Sequence, residues 1–346
     1  MKVLLISRKY PPSVGGMELF AHDLVKSLSA KVELTLIKWG GANKYLPIVY
    51  PYLFLIGFIK LLTQKIDVIH IQDGVMSLAG YVLAGIFRKP YIVVIHGLDI
   101  TYDNFIYNSL FIPAIKKADK VICISQAAKE SAIKRGVNES KIQVITLAVE
   151  DKGEPQDMRT QLLERYGLPQ DSKILTTVGR LVKRKGVVWF VAYVMPKLVA
   201  KYPQTRYLVV GEGKMRPEIE AAIVSKGLED NVKLLGRIAD EDAELVLKGA
   251  DIFVMPNINV ANDVEGFGLV SLEASLACLP VVASDTEGIK DAVVNGKNGL
   301  LVEPGQEQGF INAISGLYDA SKTKSFGKQS RQYTLEHYNW SKIGDE

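Results

Sequence analysis

Short, almost wholly apolar runs recur along the 346-residue chain and alternate with longer segments of helical periodicity. In the first half these runs sit within KVLLIS, KVELTLIKW, KIDVIHIQD, KPYIVVIHGLD, ADKVICIS and KIQVITLAV. In the second they sit within KILTTVG, TRYLVVGEG, VKLLGRI, ADIFVMPN, LPVVASD and GLLVEP. A strand covered by helices on both faces has no solvent side, so it loses polar alternation and reads as a continuous apolar run; only KVELTLIKW alternates. Strands joined through helices run parallel, so the pattern predicts an α/β chain of doubly wound parallel sheets. The length exceeds what a single core accommodates, which predicts two domains. The polar, turn-rich stretch DKGEPQDM separates two alternating blocks. It predicts a first domain over 1–150 and a second over 151–346, with a polar, aromatic-bearing tail (about 322–346) that packs back on the first.

Charge is distributed unevenly. Residues 1–150 hold 18 Lys/Arg against 11 Asp/Glu, and the remainder 24 against 27. A basic first half suits an anionic partner such as a membrane surface, although solvated lysines give the same count; nothing points to nucleic acid. The stretch Leu46–Leu62, LPIVYPYLFLIGFIKLL, is the most apolar in the chain. It falls short of the roughly 20 residues a bilayer requires, and Pro47 and Pro51 break its start. It reads either as a half-buried helix or as a lipid-touching surface aided by Lys44, Lys60 and Lys65. Cys123 and Cys278, the latter placed in a helix, read as small buried hydrophobes, in keeping with a reducing, cytoplasmic setting. The apolar run of the N-terminus stops at Arg8 and Lys9, too early for a signal peptide, and reads as a first strand.

Candidate binding residues gather where strands end. Gly15 and Gly16 open a helix after the first strand, a weak signal for a phosphate or sugar contact. His96 closes the run YIVVI and precedes Gly97, so it stands at the carboxyl end of a strand, where open sheets bind ligands. His70, inside IDVIHIQ, reads as a core histidine. Arg180 follows a strand and Lys185 lies on the glycine-terminated loop GRLVKRKG. Two cations so placed suit a diphosphate. Between two further strands, VEGFGLVSLEASLACLP places Glu265 on a loop and the turn Gly266–Val270 at a helix start, where free amides and the helix dipole favour an anion. Glu273, read as about two turns into that helix, suits a ribose diol.

Taken together, EGFGLVSLE, GRLVKRKG, GEG, VKLLGRI, IHGLD and PPSVGGME, in this order-preserving set over nearly the whole chain, resemble the family 4 (group 1) retaining glycosyltransferases. That resemblance implies the GT-B fold: two Rossmann-like doubly wound domains facing across a deep cleft, the first for the acceptor and the second for a nucleotide sugar. It implies that Glu265 stands beside the donor sugar and Glu273 on the ribose, as the two acids of an E-x7-E pair. Arg180 and Lys185 hold the diphosphate with the amides of Leu269 and Val270, within the donor turn that includes Gly266, Phe267 and Gly268. Gly15 and Gly16 approach the diphosphate, His96 lies near the reacting carbon, and Leu235, Gly236 and Arg237 flank the nucleobase. Lys183 and Arg184 depart from the resemblance, standing where family members often carry a proline and an acid, which leaves local specificity open.

The expected partners are a UDP- or GDP-sugar donor and a sugar or lipid-linked acceptor, with peripheral contact at the cytoplasmic face of a membrane. No cofactor is expected. Asp240, Glu241 and Asp242 spell D-x-D, but they begin a helix, where capping and first-turn charge account for them, so no metal is expected either. A sugar-nucleotide epimerase and a non-catalytic nucleotide-sugar-binding subunit are the competing readings.

Overall fold

The computed structural model describes residues 1–13, 15–151, 153–261, 263–343 and 345. Val14 of the glycine-pair loop, Lys152 of the boundary stretch, Asn262, and Gly344 and Glu346 of the tail lie outside the described residues. The chain divides into two compact units, one comprising Met1–Ala148, Asn262–Phe267 and Trp340–Glu346, the other Val149–Ala261 and Gly268–Asn339.

The first unit carries a six-stranded parallel sheet in the order β2-β1-β3-β4-β5-β6. Its strands are β1 (Lys2–Ser7), β2 (Glu33–Lys38), β3 (Val68–Ile71), β4 (Tyr91–Ile95), β5 (Lys120–Cys123) and β6 (Ile142–Val144). Central strands are covered on both faces, which is why KVLLIS and YIVVI are apolar throughout; Leu4, Leu5, Ile6, Val93 and Ile95 are fully buried. β2 is an edge strand, and its alternation reflects that position: Glu33 and Lys38 are exposed while Ile37 is buried. The connecting helices include α1 (Gly16–Ser29), α2 (Leu46–Thr63) and α3 (Ser77–Phe87). His70 sits in β3 between Leu5 and Ile92, buried, and burial lowers its pKa to about 4.

Two expectations about α2 need correction. Helix α2 begins at Leu46, with Pro47 in its first turn and Pro51 inside it. Proline is tolerated in the first turn because no amide partner exists there, and a second proline one turn later removes one further bond without ending the helix. With the short 3-10 turn before it, the helical run Asn43–Thr63 spans 21 residues, so by length and composition alone it is long and apolar enough to cross a membrane. It is nevertheless anchored in the unit: Val49, Leu53, Gly57 and Leu61 are buried in the core beside Ile6, Ile37 and Leu83.

The second unit repeats the design. Its parallel sheet has the order β12-β11-β10-β7-β8-β9, built from β7 (Lys173–Val178), β8 (Thr205–Val210), β9 (Val232–Gly236), β10 (Ile252–Met255), β11 (Val281–Ser284) and β12 (Leu300–Val302). Phe190, Tyr207 and Phe310 form the aromatic centre of its core.

Two further placements differ from expectation. Most of the tail, the helix Ala320–His337, belongs to the second unit, where Gly327 lets it approach the Cys278 carbonyl: a Cβ there would come within 1.9 Å of that oxygen. Only the segment from Trp340 joins the first unit, with its ring stacked on Phe20 at 5.7 Å. Cys278 is not helical; it follows the helix Leu269–Leu276 with a positive φ of 57° and is half-buried, whereas Cys123 is fully buried, its thiol pushed up to about 12 by burial.

Candidate active site

In a doubly wound sheet, ligands bind outside the carboxyl ends of strands where the winding reverses. In the first unit the reversal lies between β1 and β3. Arg8, just past β1, and Asp73, just past β3, form a buried ion pair (Nε to Oδ1, 3.0 Å), and Arg8 also donates to Asn43 Oδ1 at 3.2 Å. Next to them, at the end of β4, stands His96. Its Nε2 lies 2.9 Å from the Gln72 carbonyl, which can only accept, so Nε2 carries a proton and Nδ1 is left as the acceptor nitrogen in the neutral ring. The His96 backbone N–H donates to Asp99 Oδ1 at 2.9 Å, and the Gly74 N–H donates to Asp99 Oδ2 at 3.0 Å. Asp99 thereby ties the loops after β3 and β4 together. Burial raises its pKa, with the Asp73 charge adding to the shift and His96 and the two amides opposing it. The edge of Phe20, itself backed by Trp340, meets the His96 ring at 5.5 Å.

The Glu265 segment is held against this histidine. A Cβ on Gly266 would lie 2.3 Å from the His96 carbonyl oxygen, and one on Gly97 would lie 3.3 Å from the Gly266 Cα. Glycine at both positions permits that backbone approach. Glu265 is buried, as is Phe267. The sequence division at 150 put these residues in the second domain; the packing of Gly266 on His96 groups Asn262–Phe267 with the first unit instead.

Gly15 immediately precedes α1, and Gly16 begins it. No side chain caps that helix, but Glu18 folds back toward Gly15, where a Cβ would meet its Oε2 at 2.5 Å; Lys9 Nζ neutralises the carboxylate at 3.0 Å. An acid already occupies the electropositive end. The space at Gly16 is open, with nothing within 4 Å of a Cβ.

In the second unit the winding reverses between β7 and β10. β7 ends at Val178 and is followed by Gly179 and exposed Arg180, and the stem of Lys185 returns beside Gly179, whose Cβ would lie 3.7 Å from Lys185 Cε. Gly186 makes the return possible: it has φ 66°, and a Cβ would overlap the Pro256 carbonyl at 1.8 Å. Of the two departures from the family pattern, Lys183 is exposed and Arg184 is buried. The turn Gly211-Glu212-Gly213 locks this loop. Leu181 N donates to Glu212 O, Met215 N to Leu181 O and Gly211 N to Gly236 O, at 2.9, 3.0 and 2.8 Å. Glu212 also meets Arg216 at 2.6 Å and closes on Gly236, where a Cβ would stand 2.9 Å from its Oε1. GEG reads in the sequence as a tight turn after a strand and as part of the family resemblance, not as the lock of the Arg180 loop. The pair of closely spaced glycines was the available signal, since a Cβ on Gly213 would strike the Leu181 carbonyl at 2.2 Å.

Leu235 is half-buried, Gly236 is buried with φ 70°, and Arg237 is exposed beyond β9. After β10, Gly268 adopts φ 87° and precedes the helix Leu269–Leu276, whose first turn has no side-chain cap. Ser271 Oγ bonds the Gly268 carbonyl at 2.8 Å, which fixes the turn while leaving the Leu269 and Val270 amides at the helix start. Glu273 is half-buried and lies one turn into this helix, not two, because the loop extends to Gly268. The acids of D-x-D occupy the first turn of the helix Asp240–Gly249, but Ala239, with no side-chain bond, precedes it, so they supply first-turn charge and not a cap; Asp242 pairs with Arg165. No group of three or more His, Cys, Asp or Glu among the described residues is arranged to hold a metal ion.

Comparison with known proteins decides what these parts belong to. Residues 158–333 match the model of "Glycosyl transferases group 1", and residues 14–152 match "Glycosyltransferase Family 4". The chain belongs to this glycosyltransferase family. It is similar to the GDP-mannose-dependent alpha-(1-6)-phosphatidylinositol monomannoside mannosyltransferase of Mycolicibacterium smegmatis, at 25% identity covering 99% of this chain and 96% of the relative. It is also similar to the UDP-Gal:alpha-D-GlcNAc-diphosphoundecaprenol alpha-1,3-galactosyltransferase of Escherichia coli, at 28% identity over 84% of this chain and 77% of the relative. Among solved structures, HepE of Anabaena in complex with UDP-glucose aligns with a TM-score of 0.77 at 22% identity, covering 100% of this chain and 97% of that one. The fold is therefore GT-B, and the enzyme is a sugar-nucleotide glycosyltransferase; the comparisons lend no support to the epimerase or the non-catalytic subunit.

Proposed function

We propose that this glycosyltransferase moves a sugar from a UDP- or GDP-sugar to a lipid-linked or membrane-proximal acceptor, with retention of anomeric configuration and without a metal ion. The observation that carries the reading is the packing of the Glu265–Gly266 segment on His96, two groups the family pattern places at the donor sugar. In the reaction the bond from the anomeric carbon to the diphosphate oxygen breaks, and its electron pair leaves with the nucleoside diphosphate. The acceptor oxygen bonds that carbon on the same face, and its proton passes to the departing phosphate oxygen. Arg180 and Lys185, with the Leu269 and Val270 amides, stabilise the negative charge developing on the leaving group. Their fixed positive charge serves the role a divalent cation would otherwise fill. Glu273 takes the ribose, and Leu235, Gly236 and Arg237 take the base. In the first unit Glu265 and His96 bind and orient the sugar.

Two of the relatives are named for lipid-borne substrates, phosphatidylinositol monomannoside and a diphosphoundecaprenol. Together with the basic first 150 residues, this supports an acceptor presented at the cytoplasmic face of a membrane. The test is release of nucleotide from a panel of UDP- and GDP-sugars, with and without lipid extracts, in chelator, followed by the anomeric configuration of the product. Activity in chelator with a retained anomer is expected. An inverted product, or turnover only with Mg²⁺ or Mn²⁺, removes the corresponding part of the reading.

A further inference from the structure

Helix α2 is apolar on the side that faces away from the core as well as the side that enters it. Its buried positions, Val49, Leu53, Gly57 and Leu61, recur every four residues. On the opposite side Tyr45, just before the helix, begins a second row with Ile48, Tyr52, Leu55, Ile59 and Leu62 at alternating steps of three and four. This row is exposed, up to 73% at Ile48 and 64% at Leu62. Steps of three and four keep side chains on one helical face, so these six make a continuous stripe and not scattered surface residues. Helix α3 extends it. The ends of the two helices are joined by Phe58 and Phe87 edge to face at 5.2 Å, Tyr50 of α2 accepts the Ala79 N–H at 2.8 Å, and α3 leaves Tyr81, Val82 and Ile86 exposed. An apolar surface of this kind on a folded domain marks an interaction site.

Charge identifies the partner. From residue 34 to 98 the cations are Lys38, Lys44, Lys60, Lys65, Arg88 and Lys89, and the acids are Asp67 and Asp73 alone. Asp73 is buried against Arg8. Lys44 and Lys65 flank α2, and Arg88 and Lys89 follow α3. A second copy of the chain would bring the same cations to a self-complementary interface, where they repel. Anionic headgroups over an acyl interior complement both features.

We propose that the exposed face of α2 and α3 docks in the plane of an anionic lipid bilayer. The helix does not span, because spanning would withdraw Val49, Leu53, Gly57 and Leu61 from the core of the unit. The docking deepens the proposed function by naming the surface on which a lipid-borne acceptor is met, yet it stands on surface chemistry alone.

Flotation of the full chain with phosphatidylglycerol-containing vesicles tests it against vesicles of phosphatidylcholine only. Binding to the anionic vesicles is expected, weakening as salt rises. A variant carrying Ile48→Gln, Leu55→Gln and Leu62→Gln, and another carrying Lys44→Glu, Lys60→Glu and Lys65→Glu, should each lower partitioning at least about tenfold. All but Lys60 are exposed, so the glutamine variant should melt as the parent does; that comparison, with release of nucleotide in vesicle-free buffer, reports folding and transferase activity separately from docking. Equal binding to both vesicle types, wild-type partitioning of either variant, or absence of binding overturns the proposal. A concentration-dependent dimer that the glutamine variant dissolves would overturn it in favour of a second copy.

Discussion

Arg180 and Lys185 illustrate how a single position acquires its role from its neighbours. Arg180 is exposed and Lys185 half-buried, and Gly186 turns the loop so that the Lys185 stem lies beside Gly179, the residue before Arg180. Arg180→Ala and Lys185→Ala should each lower turnover by roughly two to three orders of magnitude, the scale of losing one donor to a developing oxyanion. Steady-state rates near the parent's in both variants would remove the two cations from the proposed diphosphate site. His70 gives a prediction of a different kind. Its folded pKa, about 4, lies below the ordinary value of 6.5 because the charged form is desolvated. In that interval the unfolded chain binds the extra proton, so stability rises with pH and is lost as pH falls from about 6.5 toward 4, by up to ~3 kcal/mol. Urea midpoints across this range should show the slope, and His70→Leu should flatten it; an unchanged slope in the variant would assign the effect elsewhere.

At the scale of elements, close backbone approach sets several of the loops alongside side-chain contacts. Gly266 on the His96 carbonyl, Gly186 on the Pro256 carbonyl and Gly211 on the Gly179 carbonyl are three places where a methyl group does not fit. Gly266→Ala should therefore displace the Glu265 loop from His96, lowering kcat more than it raises KM for the donor, while the melting temperature falls by only a few degrees, as expected for about 1 kcal/mol. Full activity in this variant would show that the loop's approach is dispensable. The segment from Trp340 makes a similar argument for packing: its ring backs Phe20, and Phe20 meets His96. Trp340→Ala should lower activity through that histidine and destabilise the chain by ~3 kcal/mol, the usual cost of deleting a large packed aromatic; calorimetry and donor turnover measured together separate the two effects.

At the scale of the whole molecule, each unit has its own sheet and core, and the chain returns to the first unit twice, at Asn262–Phe267 and from Trp340 onward. Removing residues 340–346 should therefore lower the melting transition of the first unit, by uncovering buried Phe20, more than that of the second. Hydrogen exchange resolved by peptide reads this directly: loss of protection confined to the Ala320–His337 helix would contradict it.

The sequence by itself determined the fold class and the strand ends where ligands gather, because a parallel strand covered on both faces writes itself as an apolar run. It also placed His96 at the end of β4 and Arg180 at the end of β7, since each directly follows such a run. The tertiary structure alone decided what crosses between distant segments. No local pattern says that Gly266 meets the His96 carbonyl, that Glu18 fills the N-terminus of α1, that Asp99 ties two loops, or that the turn at Glu212 holds the Arg180 loop. Helix α2 marks the boundary between the two kinds of knowledge. Its composition announced an unusually apolar element, but an all-apolar helix has no amphipathic phase to read, and only packing against β1, β2 and α3 reveals which of its faces the core consumes and which it leaves for a partner.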